Sequence, residues 1–252
     1  MLALNSIHPS VGLDGFLEII VTYIMRKMIA PFLFYFLRKI GYPKHLLKYK
    51  DYESIQKNRF CSFESENKLW VKGQIKSINK LFKNVSKRSV ILDIACGDGS
   101  GLKHFKKLGF NKVVGVEFNH VKAAEASKVG YKVYENDMHD LRIFNNHTFD
   151  YIYSSHTLEH AFDLKKATKE LFRILKKDGQ LIVILPYPDR EFYTIKAHPA
   201  KFDLGLDKED KGKSVVKYFE NNGFVVKQKA IEYYRQPEIQ LILLRKKSRP
   251  SE

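Results

Sequence analysis

The sequence predicts an α/β fold, a doubly wound and mostly parallel sheet with helices on both faces. Residues 90–101 run from an apolar, β-branched stretch into closely spaced glycines and then into the inner face of a helix. Such an apolar run is typical of a buried parallel strand, and a strand, a glycine turn and a helix in that order cradle a phosphate or a cofactor. A second apolar run, Lys112–Glu117, ends in a carboxylate 20 residues after Gly97. This spacing is typical of the next strand end in such a sheet.

The bulk composition allows one sizeable core and a small additional unit. The chain has 252 residues, of which 44% are apolar, and a net charge of +16. Residues 1–92 contain 16 basic and 6 acidic residues and residues 93–252 contain 28 and 22, so the first part carries ten of the sixteen surplus charges. A basic surface attracts nucleic acid, anionic lipid or acidic glycans without choosing among them, and a compositional bias of the genome would give the same excess.

The cysteines and the first residues predict a cytoplasmic protein. Cys61 and Cys96 are far apart in the sequence and form no C-x-x-C motif, which predicts neither a disulfide framework nor a cysteine zinc site. The first residues carry no early positive charge and no small-residue cleavage site of a secretory signal. We therefore expect a reducing, cytoplasmic environment.

We expect residues 1–58 to form a helical extension that is apolar and basic. Residues 16–37 are mostly apolar, but Pro31 interrupts them and Arg26 and Lys27 stand in their middle. Each of these charges would cost about 2.5–3.5 kcal/mol at the centre of a membrane-spanning helix, so a span is disfavoured. An apolar helix beside basic residues is typical of a segment that lies on anionic lipid, here at the inner membrane face through residues 16–50. A cap over the core and a homodimer contact remain equally open.

The same periodicities predict the elements that follow. Apolar residues at helical spacing indicate a helix over residues 69–82, with Trp70 in the core, and a short alanine-rich helix over residues 121–128. Alternating or continuous apolar runs indicate further strands. These predicted strands are residues 131–134, 149–154 and 181–185. Before the last of them, an apolar face over residues 164–175 predicts a helix, which continues through Lys176 and Lys177 and ends at a turn at Gly179.

The glycine turn excludes two common cofactor motifs. A P-loop ends in G-K-[ST], which residues 99–101 do not supply, and a dinucleotide fingerprint needs a glycine where Leu102 stands. What remains is a strand that ends in Asp93, followed by a small residue and then Gly-x-Gly. In this form, L-D-I-A-C-G-D-G, the turn resembles the first motif of the class I S-adenosylmethionine-dependent methyltransferases, of the type 11-like kind. It departs from that motif at Ala95, where the family usually has glycine.

The resemblance implies that S-adenosylmethionine is the cofactor and that it lies against the glycine turn. The turn residues implied to hold it are Asp93, Ala95, Gly97, Asp98 and Gly99. Glu117, followed by Phe118, matches the family's second-strand acid at the ribose, and a carboxylate can accept from both hydroxyls of a diol. Asp137 and Met138 match the positions that contact adenine. Their chemistry is suitable, because a carboxylate accepts from an exocyclic amine and a thioether packs on an aromatic face.

The segment that follows the fourth strand allows two interpretations. His156 to His160 form H-x-x-E-H, a zinc-protease signature, but that motif needs a long helix and here it directly follows a strand. The resemblance explains the same residues as an S-x-x-x-L-E-H stretch that lines the methionine end of the cofactor, and it adds Ser154 to the implied cofactor residues. The N/D-P-P-Y/F motif of nucleobase amino methyltransferases is absent here, which argues against base methylation.

The resemblance covers residues 59–252 and implies a Rossmann-like, seven-stranded sheet whose last strand is antiparallel. Residues 186–211 form a long connection, and such loops are usually functional, so we expect the acceptor to bind there. This loop is more loosely similar to that of methyltransferases that accompany bacterial surface-polysaccharide synthesis.

We therefore expect methyl transfer to a small-molecule, glycan or lipid-linked acceptor, at a hydroxyl oxygen. A general base within hydrogen-bond reach would help to remove the hydroxyl proton. His198 and His156 are the candidates, since neutral imidazole is available at pH 7, although proximity alone would also serve. We expect no metal. An RNA methyltransferase that uses the basic surface and a non-catalytic, membrane-associated module that retains the fold remain open alternatives.

Overall fold

The computed structural model describes residues 48–59, 64–189, 197–234 and 236–246. The apolar segment predicted at residues 16–37 lies outside these ranges, so its contact with lipid, core or a second subunit stays a prediction. Within the described ranges, no helix is long and apolar enough to cross a membrane.

A seven-stranded sheet organises the described part of the chain. In chain order its strands are β1 (Val90–Ile94), β2 (Lys112–Glu117), β3 (Lys132–Glu135), β4 (Phe149–Ser155), β5 (Leu175–Pro186), β6 (Phe224–Tyr233) and β7 (Pro237–Arg245). Their spatial order is β3-β2-β1-β4-β5-β7-β6. The pairings among β1 to β5 are parallel, whereas β7 runs antiparallel to both of its neighbours. The predicted Rossmann-like sheet with one antiparallel strand is confirmed.

Two helices precede β1, and the others lie between later strands along the chain, as a doubly wound fold requires. They are α1 (Tyr49–Arg59), α2 (Lys68–Leu81), α3 (Ser100–Lys107), α4 (His120–Ser127), α5 (Leu164–Ile174), α6 (Lys201–Leu204) and α7 (Lys213–Asn221). Two single 3₁₀ turns, Glu64–Glu66 and Leu158–His160, complete the described helical elements. The helices predicted over residues 69–82 and 121–128 correspond to α2 and α4, each shifted by one residue.

Both faces of the sheet are buried under helices. On one face Ile91 of β1 packs in a cluster with Phe105 of α3, and on the other face Leu92 of β1 packs in a cluster with Leu171 of α5. Consecutive side chains of a strand point to opposite faces, so this alternation places one helical layer on each side. The carboxyl ends of the parallel strands are thereby left as the open edge of the layered structure.

The fifth strand is longer than predicted and contains the glycine turn expected before it. β5 begins at Leu175, which pairs with Phe149, and its regular pairing with β4 resumes where Gln180 faces Tyr151. Residues 176–179 therefore lie opposite the single residue Asp150 and bulge out of the ladder. The prediction was wrong in continuing α5 over these residues. An ion pair between Lys176 Nζ and Asp150 Oδ1 at 2.8 Å holds the bulge against β4.

Candidate active site

A cavity opens at the carboxyl ends of β1, β2 and β4, the place where doubly wound sheets bind ligands. It encloses about 620 Å³ of space free of protein atoms, part of it open to solvent. Five of the residues that the sequence assigned to the cofactor lie on its wall, namely Ala95, Gly97, Glu117, Phe118 and Met138. Tyr52 and Gln56 of α1 add a second part of the wall, and His156, Thr157 and His160 after β4 add a third.

The glycine turn is bent by left-handed backbone at three positions. The φ angles are 54° at Ala95, 58° at Gly97 and 85° at Gly99. A Cβ atom at Gly99 would lie 2.8 Å from the Cα atom of Ala126 on α4, so only glycine fits there. Ala95 adopts a similar backbone conformation with a Cβ atom, at a cost of roughly 1–2 kcal/mol. The departure from the family motif is therefore tolerated with strain.

Glu117, at the end of β2, joins the glycine turn to the cavity. Its Oε2 atom accepts from the backbone amide of Gly97 at 2.9 Å and its Oε1 atom accepts from the amide of Asn119 at 2.9 Å. The side chain also lines the cavity. Because each carboxylate oxygen has more than one lone pair, Glu117 can hold the turn and still accept hydrogen bonds from a ribose diol.

Two buried polar atoms beside this edge find no hydrogen-bond partner within the described ranges. They are Asp93 Oδ2 and Ser154 Oγ. Burial and, secondarily, the nearby charge of Glu117 raise the pKa of Asp93 to about 8, so this carboxyl is largely protonated at neutral pH. Neither side chain lines the cavity in this structure. Unpaired buried polar groups are rare in folded proteins.

The wall therefore fits S-adenosylmethionine. Glu117 offers acceptors for the ribose, the left-handed turn brings backbone close to the ligand, and Met138 and Phe118 offer apolar surface to adenine. These assignments stay predictions.

Asp137 is placed differently from its predicted role at adenine. Its carboxylate accepts from the backbone amide of His139 at 2.9 Å and is also bonded to the ring of His139 and to the hydroxyl of Tyr49. Burial opposes its charge, but these hydrogen bonds outweigh burial and lower the pKa of Asp137. The side chain is not on the cavity wall, because it binds its own neighbours and α1 instead.

Asp98 is also placed away from the cavity. Its Oδ2 atom accepts from the backbone amide of Ser65 at 2.7 Å, and its Oδ1 atom accepts from the amide of Ser100 at 3.1 Å and from the Ser100 hydroxyl at 2.8 Å. Asp98 therefore stabilises the first turn of α3 and ties the segment before α2 to the glycine turn. The Asp98 side chain does not line the cavity at which the cofactor was predicted to bind.

Helix α1 covers the cavity, a role that the sequence did not predict. Tyr52 is 2% exposed and lies on the cavity wall with Gln56. The carbonyl of Lys57 accepts from Asn119 Nδ2 at 2.7 Å, and the Lys57 ammonium lies 4.8 Å from the ring centre of Phe118. Residues 49, 52 and 56 recur at helical spacing, which is the signal that would have shown their shared face.

His156 is held between two carboxylates. Its Nε2 atom lies 3.2 Å from Glu238 Oε1 and its Nδ1 atom lies 3.5 Å from Glu159 Oε1. Burial lowers the pKa of such a ring, but the hydrogen bonds and charges of both carboxylates outweigh burial and raise the pKa of His156 to about 9. The ring is therefore protonated at neutral pH. The prediction that His156 offers a neutral imidazole as general base is incompatible with this geometry.

Trp70 packs against the same histidine. The two ring centres are 4.6 Å apart, and Trp70 is half-buried rather than part of the core. The core position predicted for Trp70 was wrong, because α2 turns this side chain toward the segment after β4.

His160 is the neutral imidazole on the cavity wall. Burial lowers the pKa of His160 to about 4, in spite of the nearby charge of Glu159. The Nδ1 atom of His160 lies 2.8 Å from the carbonyl oxygen of Ala197, so this nitrogen carries the ring proton and donates it. Glu159 is 1% exposed, yet its pKa is lowered, because hydrogen bonding to His156 and the surrounding histidines outweigh burial.

His198 lies beside His160, with 4.6 Å between the ring centres. Its Nδ1 atom lies 2.7 Å from Asp189 Oδ2, and the other oxygen of Asp189 accepts from the buried Lys201 ammonium at 2.9 Å. His198 thus lies near the predicted site because its ring packs on that of His160, but His160 rather than His198 lines the cavity.

Comparison with known proteins identifies the domain. Residues 92–183 match the family model described as a methyltransferase domain. The PH0226 protein from Pyrococcus horikoshii has a TM-score of 0.55 and 19% identity over 77% of this chain and 96% of that chain. A SAM-dependent methyltransferase from Thermotoga maritima has a TM-score of 0.52 and 20% identity over 75% and 97%. The [4+2]-cyclase SpnF has a TM-score of 0.57 and 11% identity over 68% and 81%. No curated protein matches the chain.

At these identities the solved structures show the fold alone, and the domain match adds the reaction class. The chain is a transferase that carries a methyltransferase domain, and its cofactor is S-adenosylmethionine. The predicted enzyme class and cofactor are confirmed.

Proposed function

We propose that this S-adenosylmethionine-dependent methyltransferase acts on a hydroxyl oxygen of a small-molecule, glycan or lipid-linked acceptor. The observation that carries the proposal is the group of imidazoles and carboxylates after β4. His160 lines the cavity, Glu159 is buried beside it, and His198 packs on the His160 ring. A hydroxyl must lose its proton during methyl transfer, whereas an amine offers its lone pair directly. A cluster that can receive a proton therefore favours a hydroxyl acceptor.

When bound, S-adenosylmethionine would supply an electrophilic methyl group to the acceptor oxygen. Glu117 and the glycine turn hold and orient this donor. Tyr52 and Gln56 of α1 line one side of the cavity and shield that side from water, which strengthens the electrostatic interactions there. His156 is already protonated, so the hydroxyl proton leaves toward the His160 side of the cavity.

Transfer of a tritiated methyl group tests the acceptor class. Purified protein and labelled donor are incubated separately with a panel of hydroxylated small molecules, a lipid-linked glycan extract and mixed RNA. The expected result is label in the first or second fraction that resists mild alkali, because methyl ethers are stable there and methyl esters release methanol. Glu117→Ala protein gives the background. Label confined to RNA would contradict the proposal and favour the alternative of an RNA methyltransferase.

Several expectations about the surroundings of the enzyme stay predictions. They are a cytoplasmic location, membrane-surface contact through residues 16–50, a homodimer, and an acceptor from surface-polysaccharide synthesis. The exposed basic residues Lys48 and Lys50 at the start of α1 are compatible with contact to an anionic surface near the cavity.

A further inference from the structure

We propose that Glu159, His160 and His198 bind one divalent transition-metal ion at the cavity wall after β4. The comparisons assign no metal to this chain, and although H-x-x-E-H matches a zinc-protease signature, the sequence analysis expected no metal. The role of the ion in the reaction rests on the proposed hydroxyl methylation, but its binding does not.

The three side chains converge on one point. Each offers a ligand atom, and these atoms all lie within 4.8 Å of one another. Ligands at about 2.0–2.1 Å from a tetrahedral ion are about 3.4 Å apart. Small side-chain rotations therefore suffice to close the three atoms around an ion.

Both imidazoles are oriented by a second hydrogen bond. The Nδ1 atom of His160 lies 2.8 Å from the carbonyl oxygen of Ala197, and the Nδ1 atom of His198 lies 2.7 Å from Asp189 Oδ2. In each ring the bonded Nδ1 carries the proton, which makes Nε2 the nitrogen that coordinates. Metal-binding histidines in proteins almost always have such a partner on the other nitrogen.

Glu159 supplies an independent sign of a missing partner. Its side chain is 1% exposed, and within the described ranges its Oε2 atom has no hydrogen-bond partner. The other oxygen, Oε1, lies 3.5 Å from His156 Nδ1. An unpaired oxygen of a buried carboxylate is costly, and a cation at the convergence point would pair it.

The backbone around the three residues is tied together. The amide of Ala200 donates to the carbonyl of Glu159 at 3.1 Å, which holds the segment before α6 against the 3₁₀ turn that carries Glu159 and His160. The buried Lys201 ammonium, 2.9 Å from Asp189 Oδ1, balances the charge of the carboxylate that orients His198. The site is thus built on fixed elements.

The ligand set indicates which ions bind. Two imidazole nitrogens and one carboxylate favour Zn²⁺, Co²⁺, Fe²⁺ or Mn²⁺ over Mg²⁺ and Ca²⁺, which prefer oxygen ligands. Three protein ligands leave a coordination position open, as in catalytic zinc sites. His156 is not a ligand, because it lies between Glu159 and Glu238, so the H-x-x-E-H residues do not act as in a zinc protease.

The open position gives the ion its role. His160 lines the cavity, so an acceptor hydroxyl that enters there can bind the ion through its oxygen. A bound cation lowers the pKa of such a hydroxyl as it does for water. The O–H bond then breaks, and the electron pair stays on the oxygen that attacks the methyl group. With the ion bound, His160 holds the metal and does not take the proton, which passes to water at the open part of the cavity.

Metal binding by the full chain tests the site. Protein freed of metal with a chelator is titrated with Zn²⁺ by calorimetry and with Co²⁺ by visible absorption, which reports imidazole coordination. We expect one ion per chain, and a loss of affinity of about 100-fold or more in His198→Gln and in Glu159→Gln. His120→Gln is the matched control, because His120 is exposed on α4 and paired with Glu135. It should bind the ion as the wild type does.

Thermal melts show whether each variant folds. Because His198→Gln and Glu159→Gln remove different ligands, the test still stands if one of them fails to fold. No stoichiometric binding by wild type, or unchanged binding in folded His198→Gln, would overturn the site. Calorimetry of S-adenosylhomocysteine on metal-free wild type reports separately on the proposed function. Metal binding without S-adenosylhomocysteine binding would leave the site standing and remove its catalytic role.

Discussion

Glu117 shows how one carboxylate serves both fold and ligand. It accepts from the amides of Gly97 and Asn119 and also faces the cavity. The sequence predicted its ligand role from its position 20 residues after Gly97. Its role in holding the turn depends on which backbone amides approach the strand end, and a one-dimensional spacing does not contain that information.

We expect Glu117→Ala to weaken S-adenosylhomocysteine binding by roughly 1–3 kcal/mol, because groups of the ligand and of the glycine turn lose their acceptor. Isothermal calorimetry measures this change. Glu135→Ala is the matched control, since Glu135 ends the neighbouring strand β3 but is exposed and does not line the cavity. Equal affinity of Glu117→Ala and wild type would remove the ribose assignment.

Ala95 carries strain that its replacement should release. We expect Ala95→Gly to raise the free energy of unfolding by about 0.5–1 kcal/mol, because relief of the left-handed backbone exceeds the entropy that glycine adds to the unfolded chain. Urea unfolding measures the change. Ala126→Gly, in the buried face of α4, should instead lower stability by about 1 kcal/mol. A loss of stability in both variants would show that Ala95 is unstrained.

The pKa of His156 predicts a pH dependence of stability. The folded pKa is raised from 6.5 to about 9, so its stabilising contribution is complete below pH 6.5 and is lost as the pH rises through 9. We expect a loss on the order of 1–3 kcal/mol over this window. The pKa of Asp93 is also raised, to about 8, so its contribution to stability is lost mainly below pH 8. The change in stability above pH 8 therefore reports mainly on His156.

Urea unfolding between pH 8 and pH 10 makes this measurement. His156→Gln removes the titrating ring, and its stability should fall less with pH than that of wild type. Parallel curves for the two proteins would mean that His156 is neutral in the folded state, and His156 would then return as a candidate base.

At the scale of elements, the sheet and a helical segment before it were predictable, but the place of α1 on the cavity was not. Strands buried on both faces are continuous apolar runs, and β2 matches its predicted range residue for residue. Helix α1 turns Tyr52 and Gln56 toward a polar cavity rather than toward the core, so it lacks the apolar stripe by which amphipathic helices are found. The bulge in β5 was not predicted, because Lys176, Lys177 and Gly179 are as typical of the end of a helix as of a bulged strand.

Helix α1 should be protected by the cofactor that it covers. We expect saturating S-adenosylhomocysteine to slow tryptic cleavage after Lys50 and Lys57 several-fold, because ligand contacts with Tyr52 and Gln56 lower the population of the opened helix. Mass spectrometry of the fragments measures the rates. Cleavage after Lys229, on β6, is the internal control. Equal slowing at both places would indicate global stabilisation rather than closure by α1.

At the scale of the whole molecule, the site joins parts of the chain that are far apart in sequence. The glycine turn and Glu117 were predictable because they follow neighbouring strands of one βαβ unit. The contact of His156 with Glu238 and that of His160 with His198 span 82 and 38 residues. They depend on where β7 enters the sheet and on how the chain after β5 returns. Motif spacing therefore predicted the cofactor half of the cavity better than the acceptor half.

The position of β7 has a consequence for synthesis on the ribosome. Among the described strands β7 is the last to be made, yet it lies between β5 and β6, so β6 waits unpaired until residues 237–245 have left the exit tunnel. Until then the long edge of β5 is open, and open edges recruit strands from other chains. Glu238 reaches His156 at the same late moment. A nascent polypeptide therefore fixes His156 from its Glu238 side only once β7 has emerged, and translational pausing before β7 exposes the growing chain to intermolecular pairing.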